Sequence, residues 1–142
     1  MFRLKILLII IFSRFHTFVL ERSTGKFMNT LLGQKMMLIS TIGRKSGKIR
    51  KTPLLYINHQ DDIYCAASFA GNDKHPDWCL NLIKTPNIEI FVEGKCRKVK
   101  SEFLAGTERG GAWDMLCKTY SPYNDYQDRA NREIPVIKFT YV

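Results

Sequence analysis

Near the N-terminus no uncharged apolar run is long enough to cross a bilayer. Only Ile6 to Ser13 lies free of charge before Arg14 interrupts it, whereas a spanning helix needs about 20 such residues. No A-x-A-like cleavage site follows, which disfavours a secretory signal. Cys65, Cys79, Cys96 and Cys117 contain no C-x-x-C pair, and His16, His59 and His75 are scattered. No structural zinc is therefore expected, and the thiols read as small buried hydrophobes in a reducing, cytoplasmic compartment. G-x-G-x-x-G is missing, which argues against a dinucleotide fold. Helix-turn-helix, zinc-finger and RNP signatures are missing too, so nucleic acid is not an expected partner. Nor is there an internal repeat or a low-complexity linker, and 142 residues suffice for one folded core.

Acidic residues are scarce in the first third. Residues 1–53 hold eleven Lys/Arg against one acid, Glu21, and residues 54–142 hold eleven against twelve. The excess charge is thus a local attractor for anions rather than a property of the whole surface. Its densest part is "TIGRKSGKIRKTP", Thr41 to Pro53, with Arg44, Lys45, Lys48, Arg50 and Lys51. The stretch echoes a P-loop, but "GRKSGK" is one residue short of G-x-x-x-x-G-K-[ST]. Ile49 also stands where the magnesium-binding hydroxyl belongs. An ATPase is disfavoured. Two readings remain: a solvated turn between strands, or an anion cradle using the amides of Gly43 and Gly47 and the hydroxyl of Ser46.

Strand-like runs are "KMMLISTI", "KTPLLYIN", "IYCAAS" and the terminal "IPVIKFTYV". "NIEIFVEGKCRKVKSEF" reads as a hairpin turning at Glu93-Gly94, with Val99 and Phe103 inward. Helices are expected over "HPDWCLNLIK", from Thr107 through Tyr120, and over "SPYNDYQDRANRE" with Ser121 as N-cap. About six strands, mostly joined as hairpins with short helices, predict an antiparallel α+β barrel or roll over 31–142. Residues 1–30 form a separate N-terminal helix, which either packs on the core or lies on a membrane surface. The second option would put the protein on the inner face of the plasma membrane.

Four spaced motifs, "TIGRKSGKIRKTPLLY", "CAAS", "KHPDWCLNLIKTPNIEI" and "YSPYNDYQ…REIPV", resemble the deazaflavin-dependent nitroreductase family from about Leu38 onward. The resemblance implies a split antiparallel β-barrel of the flavin-reductase type. It implies coenzyme F420 (an 8-hydroxy-5-deazaflavin) as cofactor, with a phosphate and a polyglutamate tail. Hydride would pass from the reduced cofactor to a small-molecule acceptor such as a quinone or nitroaromatic. Some relatives meet the membrane through the N-terminal helix. The resemblance leaves the oligomeric state open, a homodimer being one form.

Carried over by position, Arg44, Lys45 and Ser46 correspond to the tail-binding loop. Arg50, Lys51, Thr52, Pro53 and Leu54, with Leu55 beside them, correspond to the segment meeting the phosphate and the start of the ring. Ala66, Ala67 and Ser68, with Phe69 following, match the strand end beneath the ring. Asp77, Trp78, Cys79, Leu80 and Asn81 match the helix closing the site. Tyr120, Tyr123 and Tyr126 match tyrosines of the substrate pocket, although core packing remains the reading for at least one. Ser68 and the tyrosines, Tyr126 above all, are the candidate catalytic groups. Two positions depart from the pattern. Phe69-Ala70-Gly71 stands where relatives commonly carry a Gly-Gly pair, and Leu55 stands where some nitro-reducing relatives carry tyrosine. Alternatives are FMN in the same groove, or a protein that binds a cofactor or fatty-acid-like anion without turnover.

Overall fold

A computed structural model describes residues 7, 8, 11–15, 17, 18, 30, 31 and 33–142. Residues 7, 8, 11–15, 17 and 18 are helical. The rest of the N-terminal helix and the loop expected around Gly25 lie outside the described residues. Among the described residues no helix is long and apolar enough to cross a membrane.

Eight strands form one curled antiparallel sheet. In chain order they are β1 (Thr30–Leu31), β2 (Gln34–Ile42), β3 (Ile49–Leu55), β4 (Ile57–His59), β5 (Asp62–Ala66), β6 (Asn87–Val92), β7 (Lys95–Phe103) and β8 (Val136–Tyr141). Their spatial order is β1-β2-β6-β7-β8-β5-β4, with β3 also paired to β2. Three helices flank the sheet: α1 (Asp77–Lys84), α2 (Gly106–Thr119) and α3 (Pro122–Arg129). This is the curled antiparallel architecture that the hairpin pattern predicts and the split barrel that the family resemblance implies.

Two strands have both faces covered. Along β5, Ile63 and Cys65 enter the barrel interior, while Tyr64 and Ala66 enter a second core against the helices. β8 repeats the division, with Ile137 and Phe139 inside and Val136 outside. The period-two alternation of a strand thus feeds two cores at once. Trp78 and Leu82 of α1 close one end of the interior, and Leu116 and Tyr123 of α2 and α3 fill the second core. The β6–β7 turn runs through Glu93 at φ 49° and Gly94 at φ 78°. Two successive positive values match the right-handed strand twist of a tight hairpin.

The expected strand "KTPLLYIN" breaks at Tyr56, and this break together with the short β1 raises the count from about six strands to eight. β3 pairs with β2, whereas β4 pairs with β5. Between them Tyr56 sends its side chain into the core and its amide to the Lys35 carbonyl at 3.2 Å. One continuous stretch therefore serves both halves of the barrel. Pro53 sits in β3, which among the described residues pairs with β2 alone, and proline is tolerated on such an edge strand. Ser121 does not cap α3: its backbone is already helical and its side chain makes no capping bond. Phe103 lies on the inward face of β7 but at its end, and is 36% exposed. Ser101 takes the buried place between it and Val99.

Phe139 is fully buried at the centre of the interior. Phe139→Ala is expected to cost about 3–5 kcal/mol in urea unfolding. A loss below about 1 kcal/mol would place the core elsewhere.

Candidate functional site

The barrel splits where β3 leaves β2's partner side and β5 ends, and there a cleft of about 660 Å³ opens. Thr52, Pro53, Leu54 and Leu55 of β3 form one wall. Ala66, Ser68, Phe69 and Ala70, at and beyond the end of β5, form the floor. Pro76, Asp77 and Trp78 enter from the start of α1, and Tyr120, Tyr123 and Tyr126 from the corner between α2 and α3. Met36 joins them because register pairs it with Leu55. Leu8, Phe12, Ser13 and Arg14 of the N-terminal helical residues complete the rim. The lining is largely apolar with a few polar tips, as expected where a flat organic ring binds.

The tyrosines form a cage. Tyr120 and Tyr123 stack edge to face at 5.1 Å between centroids, and Tyr123 and Tyr126 lie 6.2 Å apart. The hydroxyls of Tyr120 and Tyr126 are 3.3 Å apart. Burial, then the hydrogen bond with Tyr126, pushes the Tyr120 phenol up to about 12. Burial, then the neighbouring Cys65, raises Tyr123 well above its ordinary value. Both are neutral proton holders at physiological pH. Ser68 is half-buried at the floor, and its hydroxyl has no hydrogen-bond partner among the described residues.

The basic turn differs from the expected cradle. The amide of Gly43 donates to the Lys48 carbonyl and that of Gly47 to the Gly43 carbonyl, each at 2.8 Å. Both amides therefore close the turn itself. Ser46 Oγ accepts from the Lys48 amide at 3.3 Å. Arg44 faces the helix: its amide reaches Asn81 Oδ1 at 3.0 Å, and its Nη1 reaches Asp77 Oδ1 at 2.9 Å and Asn81 Oδ1 at 3.3 Å. Buried Asn81 passes the tie on, donating to Thr41 Oγ1 at 3.1 Å. Arg44 and Asn81 thus fix the turn on α1, while Lys45, Lys48 and Arg50 stay exposed. Lys84 joins this cluster by donating to the Arg44 carbonyl at 3.2 Å. Sequence spacing gave no hint of Lys84, which is forty residues from its partner.

The loop from β5 to α1 is strained. Phe69, Ala70 and Gly71 have φ of 47°, 52° and 77°, a left-handed run that costs L-residues about 1–2 kcal/mol each. A Cβ on Gly71 would stand 2.8 Å from the Tyr126 carbonyl oxygen, so only glycine lets α3 approach. His75, near the loop's end, has its pKa lowered by burial and then by Arg132.

Of the candidate residues, Thr52 to Leu55, Ala66, Ser68, Phe69, Asp77, Trp78 and the three tyrosines meet at the cleft. Ala67, Cys79 and Asn81 are core residues that do not line it, and Leu80 does not line it either. Arg44, Lys45, Ser46, Arg50 and Lys51 do not line the cleft; Arg50 and Lys51 precede Thr52 along β3, and Arg44 bonds the cleft-lining Asp77. Among the described residues no group of three or more His, Cys, Asp or Glu converges as a metal site.

Comparison with known proteins agrees with this geometry. The sequence family described as F420H(2)-dependent quinone reductase matches residues 12–140. A Mycobacterium tuberculosis protein of that designation is 32% identical over 101 residues, covering 71% of this chain and 85% of its own. Another M. tuberculosis F420H(2)-dependent quinone reductase is 28% identical over 131 residues, covering 89% and 88%. The solved structure of an F420-H2 dependent reductase superposes with a TM-score of 0.67 at 32% identity, covering 73% of this chain and 92% of that one. The heme storage protein HutZ of Vibrio cholerae, at 7% identity and a TM-score of 0.58 over 77% and 82%, shares the fold alone.

Gly71→Ala should destabilise by about 2 kcal/mol or more, from left-handed strain plus the Tyr126 contact. A urea midpoint equal to wild type would refute that packing. The Tyr120 phenol contributes stability that is complete below its ordinary value of 10 and is lost as pH rises through about 12. Alkaline melts of Tyr120→Phe should therefore fall less steeply across that window than wild-type melts. Equal slopes would contradict the raised value.

Proposed function

The chain belongs to the F420H(2)-dependent quinone reductase family, and from that premise we propose that it binds coenzyme F420 in the barrel cleft and reduces a quinone there. One observation carries this reading: four segments distant in sequence converge on one largely apolar cleft, and its β3 wall runs on directly from the cationic turn. The turn suits a multiply charged tail, since Lys45, Lys48, Arg50 and Lys84 can each offer a charge-assisted hydrogen bond. Reduced F420, when bound, would supply the hydride.

The protein's own part is to hold, orient and protonate. Pro53, Leu54 and Trp78 offer apolar surface against which a flat ring packs, while Met36 and Leu55 help exclude water from its edge. Fixing donor and acceptor face to face supplies much of the acceleration. A quinone that gains a hydride has accepted both electrons and becomes a hydroquinone anion, which needs one proton to complete the quinol. Tyr126, hydrogen-bonded to Tyr120, holds such a proton at its hydroxyl, and the Ser68 hydroxyl can donate to the same oxyanion. Among the described residues the one carboxylate lining this cleft is Asp77, which is engaged by Arg44. Leu55 offers no donor, which favours a quinone over a nitro group as acceptor.

Access to a lipid-soluble quinone would come through the N-terminal helical residues. Leu7, Ile11, Phe15 and Phe18 are each more than half exposed and recur at helical spacing, while Leu8 and Phe12 reach the cleft rim. This supports peripheral contact with a membrane surface. A structural neighbour at 32% identity described as a domain-swapped dimer supports a homodimer.

The test is a parallel titration with F420 and FMN, followed by oxidation of reduced F420 by a menadione-type quinone. F420 should bind, and Lys45→Ala/Lys48→Ala/Arg50→Ala should weaken it by roughly tenfold or more. Tyr126→Phe and Ser68→Ala should each lower kcat/KM by roughly tenfold or more. Binding of FMN in place of F420 would change the cofactor. Binding of F420 without quinone turnover would make the protein a carrier.

A further inference from the structure

Arg132 lies between α3 and β8, yet its guanidinium reaches back across the loop joining β5 to α1. Nη2 donates to the carbonyls of Ala67 and Ser68, each at 3.1 Å. Nε donates to the Asn72 carbonyl at 2.9 Å, and Nη1 lies 3.2 Å from His75 Nδ1. Two partners stand at the start of the loop and two at its end. One side chain therefore ties together the feet of an arch. A second bond beside it, from the Asn131 amide to Asp73 Oδ1 at 2.8 Å, adds to the tie.

Between the feet lie Phe69, Ala70 and Gly71, the three successive left-handed residues. Only the last is glycine, so Phe69 and Ala70 hold a conformation that L-residues leave when they can. Such conformations persist only where surrounding structure over-determines them. Here the fastening is Arg132 on one side and the close approach of Gly71 to Tyr126 on the other. Phe69 and Ala70 both face the cleft, and Ser68 stands at the arch's first foot. A guanidinium suits the task because it presents five donors in a rigid planar fork, which an ammonium does not.

We propose that Arg132 is a positioning residue for the reaction: by tying the ends of the 67–75 loop, it holds the strained Phe69–Ala70 wall and the Ser68 hydroxyl against the reacting groups. This rests on the cleft being the site of cofactor and acceptor. With the tie broken, the loop relaxes toward right-handed values, the wall shifts and Ser68 loses its aim. Ala70→Gly removes Ala70's share of the strain, about half of it, so it makes the geometry less dependent on Arg132.

Four full-length proteins test this: wild type, Arg132→Lys, Ala70→Gly and the double variant. Amide hydrogen exchange is read first, in the absence of ligand. Arg132→Lys should raise exchange over residues 68–74 by about tenfold or more, with β2 and β8 unchanged, and Ala70→Gly alone should slow it. Unchanged exchange in both single variants would overturn the tie whatever the cleft binds. Steady-state reduction of menadione by reduced F420 is read second. Arg132→Lys should lower kcat by about tenfold and raise the quinone KM, since small misplacements of reacting groups carry large rate losses. Adding Ala70→Gly should recover at least half of that loss on a logarithmic scale. Faster exchange with wild-type kcat and KM would make Arg132 merely structural, and an equal kcat loss with and without Ala70→Gly would overturn the link to strain. If wild type shows no F420 turnover, the assignment of the cleft fails, while the exchange data still decide whether Arg132 holds the loop.

Discussion

Two-sided burial of β5 and β8 is the constraint on which the rest of this structure depends. Successive residues of each strand enter different cores, so neither strand can slip by one position without exchanging both sets of contacts. That fixes the level at which β5 ends. Ala66, the last residue of β5, enters the helical core and Ala67 after it the barrel interior, and beyond them the chain leaves the barrel. The cleft is the space between that exit and the β3 edge. Its position is therefore a consequence of packing that has no direct part in the chemistry.

Two polar side chains then shape what packing leaves open, and they work alike. Asn81 is buried and satisfied from three directions, and so holds the cationic turn on α1. Arg132 gathers the carbonyls of the loop on the cleft's other side. Each converts a loop with little apolar anchorage into a defined wall, because a buried polar group left without partners is costly. The Arg44–Asp77 pair has one strongly exposed member, so it contributes little stability by itself and matters as geometry.

Among the described residues a cluster of cations sits on the exposed turn, while the cleft is lined mainly by apolar side chains and neutral hydroxyls, with Arg14 and Asp77 as its charged members. Phenols with raised pKa values donate a proton or a hydrogen bond without placing a fixed charge beside an apolar ring. A redox reaction whose hard step belongs to a cofactor asks for little more than this.

Much was legible from local pattern alone. The β6–β7 hairpin, the helix within "HPDWCLNLIK" and the charge cluster follow from spacing, and the four motifs contain residues from Thr52 to Tyr126 that line the cleft. Such features rest on interactions within a few residues, where strand and helix periods and turn chemistry decide. The failures share one cause. Gly43 and Gly47 spend their amides inside their own turn, Arg44 turns toward Asn81, and Ser121 leaves its cap unmade. Lys84 and Arg132 reach partners 40 to 65 positions away. Local pattern was enough to locate most strands and helices and the chemical groups they carry. Which of those groups face the cleft, and which are consumed in building it, depends on the packed fold, because hydrogen-bond partners are chosen by proximity in space and not along the chain.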